Sequence, residues 1–299
     1  MTFLTNRTTP QPDPLHPAHE TLPTMYDLPD EFPEEPGLPD EFHDLQPQLL
    51  SRTLSLKDYS ESDRFTASDL NVYYDVHHPL WHKRPDWFLA VNVPRVYDGK
   101  YGKDSRRSYV VWDEGQSPSI VVEFISPRTE KEDLGRFYGN ADLVPDTGAN
   151  TGLLEAANLS PITENPSPPS KIEVYEQYLK VPHYIVYSKY TQRLRYFKLT
   201  DGRYEEQPVQ AQAPKLWIAE LEIGLAIWDG YFEYLPGPWL RWCDAEGNWL
   251  LTDTEQERLA KEEERLAKEE ERLAKEDAQA KATKLADKLR ELGFDPDQI

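Results

Sequence analysis

The chain has 299 residues, a formal net charge of -21 and a single cysteine, Cys243. One cysteine excludes an internal disulfide and provides no zinc-ligand spacing, so we expect a cytoplasmic protein. No apolar run is long enough to cross a bilayer, so no membrane partner is expected. The acidic balance argues against broad electrostatic capture of nucleic acid, although it leaves room for a local basic groove.

Charge and composition divide the chain into three regions. Residues 1–50 are rich in proline and acid, with a net charge of -9, which predicts a largely disordered arm. Residues 51–250 carry -7 and are rich in aromatic and β-branched residues, which predicts one folded domain. Residues 251–299 carry -5 and predict a long charged helix. Most of the acidity therefore lies outside the predicted domain.

Strand and helix signals follow one another along the chain. The apolar residues of 39–54 predict a short helix interrupted by Pro47, and residues 67–76 predict another with Ser68 or Asp69 as its cap. Further helices are predicted within 128–139 and 171–180, and strands at 86–93, 108–113, 119–125, 183–188, 193–199, 203–209, 216–219, 223–228 and 231–235. The fold class that follows is α+β, a mixed β-sheet core with flanking helices.

Two segments interrupt or extend this domain. Residues 140–170 are rich in Pro, Asn, Ser and Thr and are too long for a routine connection, which predicts an inserted flap or a disordered loop. In the tail, Leu259, Leu266 and Leu273 lie seven residues apart, but a coiled-coil seam needs two apolar positions per heptad. Two alternatives therefore stay open for the tail: a lone helix supported by Glu–Lys pairs, and a weak coiled coil that forms a homodimer.

Two carboxylates stand at the predicted strands of the domain. Glu123 lies inside an apolar, β-branched run, where an ionised carboxylate requires a partner, a proton or a metal. Asp86 follows Pro85 and leads directly into the apolar alternation of the strand at 86–93. Two such acids with a nearby lysine form a minimal set for metal-dependent phosphodiester hydrolysis, and carboxylate ligands favour Mg²⁺ or Mn²⁺.

The chain resembles the putative restriction endonuclease family of uncharacterised bacterial proteins, a branch of the PD-(D/E)XK nuclease superfamily. The resemblance covers roughly residues 56–240 and rests on Pro85 and Asp86, on EFISPRTEKED and on KIEVYEQYLKVPHYIVYS. It implies a DNA endonuclease in which Asp86 and Glu123 match the metal-binding acids. The catalytic lysine of the superfamily would then correspond to Lys171.

The resemblance has one departure and leaves one alternative. Ile125 stands where the superfamily usually has lysine, and the upstream acid of the first helix would be Glu41 or a neighbour, a poor match. Glu123 also has a purely structural reading, as a buried ion pair with Arg128 or Lys171. In that case the fold would be a catalytically inactive, nuclease-like module that binds another protein.

Overall fold

The computed structural model describes residues 40–99, 101–126, 129–139 and 168–291. Most of the predicted arm, residues 140–167 of the predicted insertion, and Arg128 lie outside the described residues. Mixed β-sheets combine with helices in the described part, so the predicted α+β class is confirmed.

The described helices and strands have the following bounds. The α-helices are α1 (Glu41–Thr53), α2 (Val111–Glu114), α3 (Glu130–Leu134), α4 (Lys171–Glu173) and α5 (Asp253–Glu291). A π-helix, Val174–Tyr178, continues α4, and short 3-10 turns lie at Glu61–Asp63, Gly135–Phe137 and Ala219–Leu221. The strands are β1 (Arg64–Ala67), β2 (Val72–Tyr73), β3 (His82–Lys83), β4 (Trp87–Val91), β5 (Tyr97–Gly99), β6 (Gly102–Asp104), β7 (Tyr109–Val110), β8 (Ile120–Phe124), β9 (His183–Ser188), β10 (Arg193–Thr200), β11 (Arg203–Gln207), β12 (Leu216–Ile218), β13 (Ile223–Phe232) and β14 (Leu235–Cys243).

A six-stranded sheet with the order β1-β4-β8-β9-β10-β11 forms the centre of the fold. Its strands pair antiparallel except for β8 and β9, which are parallel and have Glu123 opposite Val186. A parallel pair needs a crossover connection, and the described parts of that connection contain α3 and α4. Every residue of β8 and β9 is buried, as expected for central strands that are covered on both faces.

Alternate residues of β8 face two different layers. Ile120, Val122 and Phe124 pack in a core cluster that includes residues of α1 and of the sheet β12-β13-β14. Val121, on the opposite face, belongs to a second cluster that includes apolar residues of α4 and the π-helix. Glu123 shares this second face because side chains alternate along a strand. The strand pattern therefore directs its carboxylate toward α4.

One side chain of helix α1 forms hydrogen bonds with the open edge of β14. The fully buried Gln46 donates from Nε2 to the carbonyl oxygen of Leu240 (2.9 Å), and its Oε1 accepts from the Leu240 N–H (2.7 Å). Leu240 faces Ile227 of β13 on the other side. Gln46 thus replaces the strand that β14 lacks at this position.

Four sequence predictions differ from the structure. The helix predicted at 67–76 is wrong, because Val72 and Tyr73 form β2, which pairs with both β3 and β7. The strand predicted at 108–113 ends at Val110, just before α2. The two strands predicted at 223–228 and 231–235 are parts of the longer hairpin that β13 and β14 form. Helix α1 runs through Pro47 instead of stopping there.

The predicted charged tail forms the 39-residue helix α5. At its start, the buried guanidinium of Arg241 forms an ion pair with Glu255 and donates to the carbonyl oxygen of Leu250. From Gln256 to Leu285 the side chains are exposed, including those of the three heptad leucines. Ion pairs such as Lys275 with Glu271 (2.6 Å) run along the surface of the helix. None of the described helices is both long enough and apolar enough to cross a membrane.

The Gln46 contact predicts a stability change. Gln46→Met keeps the apolar volume but leaves the buried N–H and carbonyl of Leu240 without partners, so we expect a loss of about 2–4 kcal/mol in the free energy of unfolding. Urea denaturation measures this loss. The matched control is Gln48→Met on the same helix, whose amide bonds are exposed and which should change the stability by less than about 0.5 kcal/mol. Equal effects of the two variants would refute the role of Gln46.

The exposure of α5 predicts that most of this helix is dispensable for folding. A chain that ends at Lys268 keeps the contact between Arg241 and Glu255 and should unfold within about 0.5 kcal/mol of the full chain. A urea midpoint that rises with protein concentration in the full chain, but not in the shortened one, would instead reveal an oligomer formed through α5.

Candidate active site

The pairing of β4 with β8 brings the two predicted acids together. Trp87 faces Val122, so Asp86 and Glu123 come next along the same antiparallel register. The Asp86 N–H donates to Glu123 Oε2 (3.3 Å), and the Phe124 N–H donates to Asp86 Oδ2 (2.6 Å). The carboxyl groups therefore converge at one point.

Helix α4 supplies the predicted lysine. Ser170 and Glu173 form a capping box that fixes the start of α4, so Lys171 occupies its first position. Lys171 Nζ lies 3.4 Å from Glu123 Oε2 and 2.7 Å from Asp133 Oδ1. The three residues predicted from the sequence, Asp86, Glu123 and Lys171, are thus brought together. The alternative partner Arg128 lies outside the described residues.

Tyr175 is a fourth member that the sequence prediction did not include. Its hydroxyl donates to Glu123 Oε1 over 2.6 Å, and both side chains are fully buried. Tyr175 stands four residues after Lys171, which places both on one helix face. It belongs to the π-helix, in which the Leu179 N–H donates to the Val174 carbonyl oxygen (2.9 Å). Such turns are rare and are frequent at functional sites.

Asp133 of α3 holds the lysine from the other side. Its side chain is buried, and its backbone carbonyl accepts a hydrogen bond from the hydroxyl of Tyr184 (2.8 Å). Lys171 therefore lies between two carboxylates, one from the central sheet and one from α3. We assign Asp133 to the positioning of Lys171 because their ion pair is the shortest polar contact of the ammonium.

Helix α1 contributes a histidine to the site and not the acid that the superfamily pattern suggests. His43 Nδ1 lies 2.7 Å from Asp40 Oδ1, and its Nε2 lies 3.0 Å from the carbonyl oxygen of Phe124. Burial would raise the pKa of Asp40, but hydrogen bonds from His43 and Lys189 lower it well below its usual range. Glu41 is exposed and does not line the site.

A cavity of about 290 Å³ opens beside these residues. Its wall contains both acids and cations, together with two histidines, a phenylalanine and a threonine: Asp69, Asp86, Glu132, Asp133, Lys83, Arg84, Lys171, His43, His82, Phe124 and Thr129. A larger cavity of about 410 Å³ lies beside the hairpin of β5 and β6, but it contains none of the predicted site residues. The smaller cavity is therefore the candidate active site.

Burial and the shortage of cations set the protonation of the site. Burial raises the pKa of Glu123 well above its usual range, and Asp86 adds to this effect while Lys171 opposes it. Burial also raises the pKa of Asp86 to about 6, against the opposing charge of Lys171 and the N–H of Phe124. For Lys171, burial would lower the pKa, but Glu123, Asp133 and Asp86 outweigh it and raise the pKa above the usual value. Lys171 is therefore a permanent cation beside two acids that compete for a proton.

The donor set fits a magnesium-type ion that retains water ligands. Among the described residues, no group of three or more His, Cys, Asp and Glu side chains could hold a metal ion. Asp86 and Glu123 nevertheless converge as two carboxylates, and Mg²⁺ commonly binds through one or two carboxylates while keeping several waters. Zinc, which prefers four nitrogen and sulfur ligands in structural sites, does not fit this pair.

The raised pKa of Asp86 predicts a pH-dependent stability without metal. The folded state binds this proton more tightly than the unfolded state, so the contribution of Asp86 to stability falls as the pH rises from about 4 to about 6 and remains lost above. In EDTA at pH 8, the free energy of unfolding of Asp86→Asn should therefore exceed that of the wild type by about 3 kcal/mol, and the two values should converge near pH 4.

Urea unfolding across this pH range tests the prediction. Asp58→Asn changes an exposed acid and serves as the control, which should track the wild type at every pH. If Asp86→Asn were less stable than the wild type at pH 8, the carboxylate would be a stabilising structural group and not a strained member of a site.

Comparison with known proteins identifies the family of the chain. The model of the Uma2 family, described as "Putative restriction endonuclease", matches residues 16–228, a range that contains all the residues of the site. No curated protein and no solved structure matches the chain. The family predicted from the sequence is thus confirmed over more than half of the chain. The protein belongs to the Uma2 family of putative restriction endonucleases.

Proposed function

We propose that the protein is a metal-dependent DNA endonuclease that hydrolyses phosphodiester bonds. In this proposal Asp86 and Glu123 bind Mg²⁺ or Mn²⁺, and Lys171 is the catalytic cation. The observation that carries it is the placement of two carboxyl groups side by side with a half-buried ammonium 3.4 Å from one of them, beside a cavity that Asp86 and Lys171 line. Family membership supports DNA as the substrate.

Each residue has a distinct task in the proposed reaction. The metal, when bound, supplies Lewis acidity and lowers the pKa of a bound water. Lys171 stabilises the negative charge that develops on the attacked phosphate, because its raised pKa makes it a poor base. Asp133 holds the ammonium in place through the 2.7 Å ion pair. Tyr175 orients Glu123 by donating to one of its oxygens, which leaves the other oxygen toward Asp86 and Lys171.

Ile125 does not count against this proposal once Lys171 is considered. Ile125 is buried in the core cluster that also contains Ile172 and Tyr175, so this position provides packing. The charge that a lysine there would supply comes from α4 instead. The alternative, a catalytically inactive module that binds another protein, keeps two supports: the exposed length of α5 and the net acidity of the chain. The same exposed helix is the surface through which a homodimer with two sites would form.

Nuclease and metal-binding assays test the proposal together. With Mg²⁺ or Mn²⁺, the wild type should cleave single- or double-stranded DNA, and Asp86→Asn, Glu123→Gln and Lys171→Met should each reduce the rate by at least about 100-fold. In calorimetry, the two acid variants should lose metal binding, whereas Lys171→Met should retain it. Lys57→Met removes an exposed lysine that does not line the cavity and serves as the control.

The result that would overturn the proposal is equally specific. A wild-type protein that binds neither Mg²⁺ nor Mn²⁺ above background and leaves every DNA substrate intact would favour the inactive module. Cleavage that persists in Glu123→Gln would show that the activity comes from a contaminant or from a different site.

A further inference from the structure

Lys83 is a cation of the candidate site that the proposed reaction does not use. It ends β3 and lines the same cavity as Asp86, Asp133 and Lys171. Its position is fixed by the three-stranded sheet, because Lys83 faces the fully buried Val72 of β2. The lysine is therefore held at the wall of the cavity by backbone pairing.

Lys83 differs from its neighbours in lacking a partner. Lys171 has Asp133 at 2.7 Å, and Arg84 has Asp69 at 2.7 Å. Within the described ranges, by contrast, no acid lies within 4.0 Å of the Lys83 ammonium, and no hydrogen bond is formed by it. A partly buried ammonium without a partner carries a desolvation cost that an anionic ligand would offset.

The electrostatic environment agrees with this description. Burial lowers the pKa of Lys83 and Lys171 lowers it further, while Glu132, Glu123 and Asp133 raise it. Glu123 and Asp133 are already in contact with Lys171. Lys83 is therefore not needed as their counterion, and its charge is available to a ligand in the cavity.

The chain between Lys83 and Asp86 is short and stiff. Pro85 is buried and has a fixed φ, and its carbonyl oxygen accepts a hydrogen bond from the Asp69 N–H (3.1 Å). The backbone of one tight connection between β3 and β4 consequently fixes where the Lys83 side chain leaves the chain relative to the two carboxyl groups. Such a connection can place Lys83 and the two carboxyl groups so that they contact two different points of one ligand.

We propose that Lys83 binds a backbone phosphate of the nucleic acid substrate, next to the phosphate that is attacked. The proposal rests on the proposed function, since it takes the substrate to be a phosphodiester chain that enters this cavity. Lysine binds phosphate as a point charge, and each phosphate neutralised by a cation contributes about 0.9 to the slope of log affinity against log salt concentration. Lys83 is thus a substrate-binding residue, distinct in role from Lys171.

The test is the salt dependence of DNA binding, measured with Ca²⁺ in place of Mg²⁺. Fluorescence anisotropy with a labelled duplex of about 20 base pairs, a length that covers several phosphates, gives the slope for each variant. Lys83→Met should lower the slope by about one and weaken binding, whereas Lys83→Arg, which keeps the charge, should restore both. Lys57→Met, which removes a charge outside the cavity, should match the wild type. Metal-free Lys83→Met should be at least as stable as the wild type, because no ion pair is lost and the desolvation cost of the ammonium is removed.

The outcomes separate this proposal from the proposed function. A lower slope in Lys83→Met alone supports the phosphate contact, even if the protein cleaves no DNA and the proposed function fails. An unchanged slope in a folded Lys83→Met variant overturns the contact, even if the wild type cleaves DNA. A wild type that does not bind DNA at all, or a Lys83→Met variant that is destabilised, also overturns it.

Discussion

The burial of the Glu123 carboxyl in the middle of the central sheet is the constraint on which the site depends. A group of this kind is tolerated only with hydrogen bonds and an opposite charge, and each comes from a different element. Tyr175 supplies a hydroxyl, Lys171 supplies the charge, and the backbone N–H of Asp86 supplies a further hydrogen bond. The capping box at Ser170 and the ion pair with Asp133 follow from the need to place Lys171 correctly.

The site holds more negative charge than its own cations balance. Glu123 and Asp133 both contact the ammonium of Lys171 and Asp86 lies beside Glu123, whereas a purely structural ion pair would have no need of the additional acids. A stable core normally avoids such an excess, and functional sites are where proteins retain it. This excess of acids is the physical basis of the proposed metal site.

The sequence predicted the parts of this fold that local patterns determine. Glu123 and Asp86 were identifiable because an acid in an apolar strand requires an explanation, and Lys171 followed from the family pattern. His43 and Lys83 were not identifiable, because their meaning arises from contacts with chain segments far away in sequence. The helix predicted at 67–76 failed for the same reason, since pairing with β7 outweighed the local preference. Strand β14 was not recognised along its length because it contains Pro236 and Pro238, which disfavour a strand. Prolines are tolerated there because β14 is an edge strand that pairs with β13 on one side only.

The parallel pairing of β8 with β9 has a consequence for how the protein folds. Contacts within the site join residues that are 37 and 52 positions apart, so the chain must close large loops before any of them forms. Contacts of this kind raise the contact order and slow folding. A partly folded form that lacks the crossover between β8 and β9 cannot contain the assembled site. The protonation state of Asp86 and Glu123 therefore indicates whether the native fold is complete.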